Sequence, residues 1–196
     1  VIPSVLPRNR SALEIAIEVS GSTAQPLYQG PLVGADLFRL CGYGFNEVNG
    51  LGFRIAKFKM TGAALWQAME TVLASIDITD DYLPQVSGMR YQYDASMPPG
   101  SRVVYVELNG TALDPDREYS MTGNEFLLYA VENVFGIPVS DAYVFEDSTE
   151  FEVVLEYVLS QPNQTISPYT DGRVYSTTTV VGTNETDVLA NTLQLH

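Results

Sequence analysis

The side chains able to carry acid–base or metal chemistry are unevenly supplied. The chain has 24 carboxylates, one thiol at Cys41 and one imidazole, His196, at its last position. A Ser-His-Asp triad or a Cys-His pair needs an imidazole inside the domain, and none is present. A two-metal phosphoesterase centre draws on several imidazoles together with carboxylates. An all-carboxylate Mg or Ca site needs no imidazole, but no Asp-rich loop of EF-hand type occurs. The chain by itself is therefore expected to carry no catalytic residue and no metal ligand set, and not to hydrolyse nucleotides. Cys41 has no partner for an intrachain disulfide. Asn109-Gly110-Thr111, Asn163-Gln164-Thr165 and Asn184-Glu185-Thr186 fit the N-glycosylation sequon, a tripeptide frequent by chance.

Composition restricts the partners. A formal net charge of -14 over 196 residues disfavours nucleic-acid backbones and anionic membranes. Hydrophobic residues make up 45%, so the chain can bury a core, and no apolar run approaches the ~20 residues of a membrane span. The chain starts at Val1 without an initiator Met or a signal-peptide pattern, as expected of a processed or cut fragment.

The elements that must hold any site follow from periodicity. Residues 13–19 alternate apolar and polar and predict a strand. Pro31 suits a first helical position, and Leu32, Val33, Leu37 and Leu40 predict a short helix ending before Gly42. Residues 43–52 form a loop rich in Gly and Asn, and residues 53–60 a strand. Thr61 is a natural N-cap for a helix with Leu65, Met69, Val72, Leu73 and Ile76 on one stripe. Residues 85–126 read as three strands, over 89–94, 103–108 and 118–122, joined by Pro98-Pro99-Gly100, Asn109-Gly110 and Asp114-Pro115-Asp116 turns. Residues 127–135 fit helix or loop, and residues 136–143 are irregular. Asp147 and Glu150 form a capping-box-like start for a helix carrying Phe151, Val154, Leu155, Val158 and Leu159, which Pro162 stops. Residues 172–181 are strand-like, and residues 176–196 are a tail or an added strand. The expected fold is one α+β domain over residues 13–175, after an irregular lead-in at 1–12. Its mixed, mostly antiparallel sheet is covered by the helices at 61–76 and 147–160, because each helix has a single apolar stripe.

An ordered set of short motifs adds a resemblance. Gln85-Val86-Ser87-Gly88, Tyr91-Gln92-Tyr93-Asp94, Pro98-Pro99-Gly100-Ser101-Arg102-Val103, Leu113-Asp114-Pro115-Asp116 and Asn124-Glu125-Phe126 stand in order over about forty residues. Thr61-Gly62 and Gly172-Arg173-Val174 extend the set over residues 13–174. The chain resembles the C-terminal domain of the metal-dependent 5'-nucleotidase family, with its UDP-sugar hydrolases and cyclic-nucleotide phosphodiesterases.

The resemblance implies a secreted, periplasmic or cell-surface parent, a substrate-binding role, and a catalytic dimetal N-terminal domain outside this chain. Its substrate would be a nucleoside, nucleotide or nucleotide-sugar. The base would stack between Tyr43 and Phe126, and Glu132, six residues after Phe126, would meet a sugar hydroxyl. Without the resemblance, Tyr43 and Phe126 read as core aromatics and Glu132 as a solvated acid.

The pattern also departs from the family. Val19 and Phe45 replace asparagines, Ala24 replaces an arginine, and Ala130 and Val131 stand where the family has glycines. Arg39 and Arg54 flank the region as substitute cations, though arginines at such places are usually only solvated. Together these losses support a rival reading, a degenerate non-catalytic binding or interaction module of the same fold.

Overall fold

The computed structural model describes residues 13–177; the expectations for residues 1–12 and for the tail beyond 177 lie outside the described residues. The first strand, β1 (Ile15–Val19), buries Ile15 and Ile17 and alternates as the sequence dictates. The helix α1 (Gly34–Leu40) begins three residues after Pro31. Asp36 sets that start, because its carboxylate accepts the Val33 N–H at 2.9 Å. Strand β2 (Arg54–Thr61) leads directly into α2 (Gly62–Leu73), where the Thr61 hydroxyl accepts the Ala64 N–H at 3.2 Å. The strands β3 (Pro84–Ser87), β4 (Arg90–Tyr93), β5 (Val103–Leu108), β6 (Thr111–Ala112) and β7 (Glu118–Asn124) follow.

Helix α3 (Glu125–Tyr129) runs on into a π-helical turn at Ala130–Val134, which settles residues 127–135 as helical. Strand β8 (Ser140–Thr149) occupies a stretch that sequence periodicity leaves irregular. It is an edge strand with mostly exposed side chains, so it lacks the apolar alternation that marks a half-buried strand. Helix α4 (Glu150–Ser160) therefore starts later than 147, since Asp147 and Ser148 belong to β8. Thr149 takes over the capping box: its hydroxyl accepts the Glu152 N–H at 3.3 Å and its own N–H donates to the Glu152 carboxylate at 2.9 Å. Strand β9 (Val174–Ser176) closes the described chain.

The fold is α+β with two sheets rather than one. The larger has the order β3-β1-β7-β2-β8 and the smaller β6-β5-β4-β9. Pairings are antiparallel except β1 with β7 and β4 with β9. One core joins the sheets: Ile15, Phe58 and Met121 from the larger sheet, Leu65 and Met69 from α2, and Tyr91 and Val106 from the smaller.

Several of the motifs are structural. Gly62 packs its Cα against the 114–117 turn, where an added Cβ would lie 2.1 Å from the Asp114 carbonyl oxygen. Arg102, only 3% exposed, donates to the Leu73 carbonyl at 2.6 Å and the Met97 carbonyl at 2.9 Å, so it ties the C-terminal end of α2 to the start of β5.

Candidate functional site

Four segments meet at one end of the larger sheet: the end of β1, the loop between α1 and β2, the β7–α3 junction, and the start of α4. Asn124 fixes the junction. Its side-chain oxygen caps α3 by accepting the Leu127 N–H at 2.7 Å, and its amide nitrogen donates to Glu18 at 2.8 Å. The cap places Phe126 in the first turn of α3, with its ring 56% exposed.

Tyr43, 49% exposed, stands in the loop between α1 and β2. Gly44, at φ +80, lies so close to the Phe53 ring that a Cβ there would come within 2.4 Å of it. Phe53 in turn stacks on Phe126, with ring centroids 5.4 Å apart and an interplanar angle of 18°. The structure thus brings the Tyr43 loop and Phe126 to the same ring, and the ring paired with Phe126 is Phe53. Sequence reading places Phe53 on a strand face and gives it no site role. Its position just before β2, beside a Gly-rich loop, is the signal that could have marked it.

Glu132 falls elsewhere on the same helical run. Phe126, Leu127, Ala130, Val131 and Val134 share a face that lines a cavity, whereas Glu132 lies off that face and is exposed.

The cavity has a volume of about 430 Å³ and sits between the larger sheet, α2 and α3. Ile17, Phe58, Met60 and Met121 form its sheet side, and Leu65, Met69 and Val72 its α2 side. Val19, Ala130 and Val131, three of the positions that depart from the family pattern, all lie on its wall.

Beside the aromatic cluster is a half-buried acidic group that sequence reading misses. One Glu18 carboxylate oxygen accepts the Val19 N–H at 2.9 Å and the Ser22 hydroxyl at 2.6 Å. Glu18 and Glu150 are hydrogen-bonded to each other. Burial raises the Glu18 carboxyl above its ordinary value, against the pull of its bonds to Glu150, Ser22 and Val19. Burial raises Glu150 well above its ordinary value, and the Glu18 charge adds to the shift. The pair therefore retains a proton that an exposed carboxyl would lose. The same surroundings push the Cys41 thiol up to about 12, first through burial and then through the Glu150 and Glu18 charges.

The cations nearby are engaged. Arg54 donates to Glu125 at 2.6 and 2.9 Å and to Glu146 at 2.7 Å. Arg39 is paired with Asp36. The Asn46 side chain is buried; its oxygen accepts the Val48 N–H at 2.9 Å and its amide nitrogen has no partner within the protein. Among the described residues no group of three or more His, Cys, Asp or Glu could hold a metal ion. Among the same residues no helix is long and apolar enough to cross a membrane.

The family model described as "5'-nucleotidase, C-terminal domain" matches residues 3–137. The chain belongs to this family. Solved structures agree on the fold of this 5'-nucleotidase C-terminal domain. A 5'-nucleotidase precursor from Thermus thermophilus superposes with a TM-score of 0.71 at 21% identity, over 83% of this chain and 31% of its own. The NAD nucleotidase of Haemophilus influenzae gives 0.67 at 16% identity, over 85% of this chain and 30% of its own. A putative 5'-nucleotidase from Staphylococcus aureus, solved with alpha-ketoglutarate, gives 0.61 at 16% identity, over 84% and 34%. The chain therefore spans about a third of the length of the solved proteins it matches. No curated protein matches it by sequence.

Proposed function

We propose that this chain is the substrate-binding part of a longer, metal-dependent 5'-nucleotidase-type phosphoester hydrolase. The nucleoside of a nucleotide or nucleotide-sugar stacks at Tyr43 and Phe126, and Glu132 meets the sugar edge as the substrate is shared with a second domain. The divalent metal pair and the hydrolytic chemistry belong to an N-terminal domain of the same parent. The parent works in an extracellular, periplasmic or cell-surface compartment.

One observation supports this reading: the half-exposed Phe126 ring stacks on Phe53, and Gly44, next to the half-exposed Tyr43, packs against the same Phe53 ring, in a chain of this family. Rings of this kind suit a base of any sequence, because every base offers a π-face.

The charge pattern favours the nucleoside over its phosphate. Arg39 and Arg54 are committed to carboxylates, so a monophosphate gains little over the free nucleoside.

A second reading, a non-catalytic interaction module, is favoured by the same stacked pair, since Phe53 already covers part of the Phe126 ring.

A thermal-shift panel of adenosine, AMP and UDP-glucose separates the two. A binder is stabilised by RT ln(1 + [L]/Kd). Phe126→Ala should then weaken binding by about 1–3 kcal/mol, roughly 5- to 150-fold. Silence across the panel would leave the interaction module as the function.

A further inference from the structure

The cavity behind Phe126 has a composition that fits neither a nucleotide nor water. Its volume of about 430 Å³ falls within the ~300–1,000 Å³ of small-molecule pockets. An apolar cavity of ~150 Å³ holds a benzene, so this space admits a body of about two to three rings or a folded alkyl chain.

Its floor is made of core residues, with Leu65, Met69 and Met121 each 1% exposed and Phe58 and Met60 each 2%, and its mouth of the exposed Phe126, Tyr82 and Val134. The opposite wall is a π-helical turn, a feature frequent at functional sites.

The polar groups on the wall are already used. Thr71 donates to the Gln67 carbonyl at 2.8 Å, Ser75 to the Val72 carbonyl at 3.2 Å, and Glu18 accepts from Val19, Ser22 and Asn124. Tyr82, the remaining polar lining residue, is 51% exposed. A water held inside would need about two to four polar partners, which this wall does not offer. Glu18 is the one charged residue lining the space, and the chain carries a net charge of -14. Anions, including fatty acids and phosphates, are therefore repelled.

We infer that this cavity binds an uncharged, hydrocarbon-rich small molecule, at a place separate from the Tyr43 loop. Phe126 borders both this cavity and the proposed nucleoside site, whereas Tyr43 and Phe53 do not line the cavity, so Tyr43 is the residue that tells the two apart.

The test titrates the full chain with N-phenyl-naphthylamine, an uncharged fluorophore that brightens in apolar surroundings, beside the anionic anilinonaphthalene sulfonate. Saturable one-site binding of the neutral probe is expected, with the sulfonate at least about tenfold weaker. Ala130→Trp, which fills the cavity from the π-helical wall, should weaken the neutral probe at least about tenfold. If that variant does not fold by circular dichroism, Ala68→Phe fills the space from α2 instead. Tyr43→Ala should leave the probe affinity unchanged and thereby distinguishes this site from the nucleoside site. Four results would each overturn the inference: no saturable brightening with the parent chain, equal affinity for the sulfonate, unchanged affinity in a folded filled variant, or loss of the probe in Tyr43→Ala.

Discussion

Replacing Glu150 by glutamine probes the half-buried acid pair at the heart of the site. In the unfolded chain both carboxyls titrate near their ordinary 4.5, whereas burial raises both in the fold. Folding therefore takes up protons above that pH. The stability this pair contributes is fully present below about pH 4.5 and drains away as pH rises through the raised folded values.

The size of the effect follows from the geometry. Two carboxylates in hydrogen-bond contact repel by about 4 kcal/mol at ~4 Å and an effective dielectric near 20. Relaxation and partial exposure reduce that to about 2 kcal/mol. The Glu150 charge sits in the first turn of α4, where the helix dipole favours it by about 0.5 kcal/mol. Glu150→Gln should therefore be about 1–2 kcal/mol more stable than the parent at pH 8, and lie within about 0.5 kcal/mol of it at pH 4.5. In a chain of this size that corresponds to a midpoint about 2–8 °C higher at pH 8.

The assay is urea denaturation across this pH range, followed by the fluorescence of Trp66, the single tryptophan, on α2. If the variant keeps the parent's decline with pH, or is less stable than the parent at pH 8, the shared-proton account is wrong.

Three further substitutions test the frame that holds the site. Arg102→Met removes the buried donors to the Leu73 and Met97 carbonyls and should cost about 3 kcal/mol in urea denaturation. Arg102 also pairs with Asp77 at 2.5 Å, and Asp77→Asn, at the 58% exposed end of that ion pair, should cost less than about 1 kcal/mol. Gly88→Ala places a Cβ 1.9 Å from the Glu14 carbonyl oxygen at a φ of +83, and should cost at least about 3 kcal/mol or abolish expression of folded chain. A cost below about 1 kcal/mol would show that β1 and the 87–89 turn move apart readily.

What the sequence by itself determined is what depends on near neighbours. The α2 stripe of Leu65, Met69 and Leu73 is buried as the helical period requires, and Thr61 caps the helix. The Arg90–Tyr93 and Val103–Leu108 strands form where their alternation predicts, although a register shift opposite Val103 and Tyr105 breaks the alternation so that Val103 and Val106 are both buried, and Asn109-Gly110 turns between β5 and β6 with both residues at positive φ. The motif order carried the family, because its pieces are turns and close approaches that recur with the fold. Gly62 against Asp114 is one such approach.

Only the tertiary structure decided what sits where at the site. Glu18, Asn124 and Glu150 come from β1, β7 and α4. Nothing local in any of the three marks it as a member of an acidic group, since burial and a partner more than a hundred residues away create the raised values. Phe53 and Phe126 are likewise joined by the antiparallel pairing of β2 with β7, which sets Ile55 opposite Asn124 and brings the residues flanking them together. The spacing of six between Phe126 and Glu132 is plain in the sequence. Whether it forms a pocket depends on backbone path, here a helical run through Ala130 and Val131 that leaves Glu132 exposed and off the cavity wall. Strand β8 was hidden for the same reason in reverse. An exposed edge strand is specified by the partner it pairs with, here β2, and not by the alternation of its own side chains.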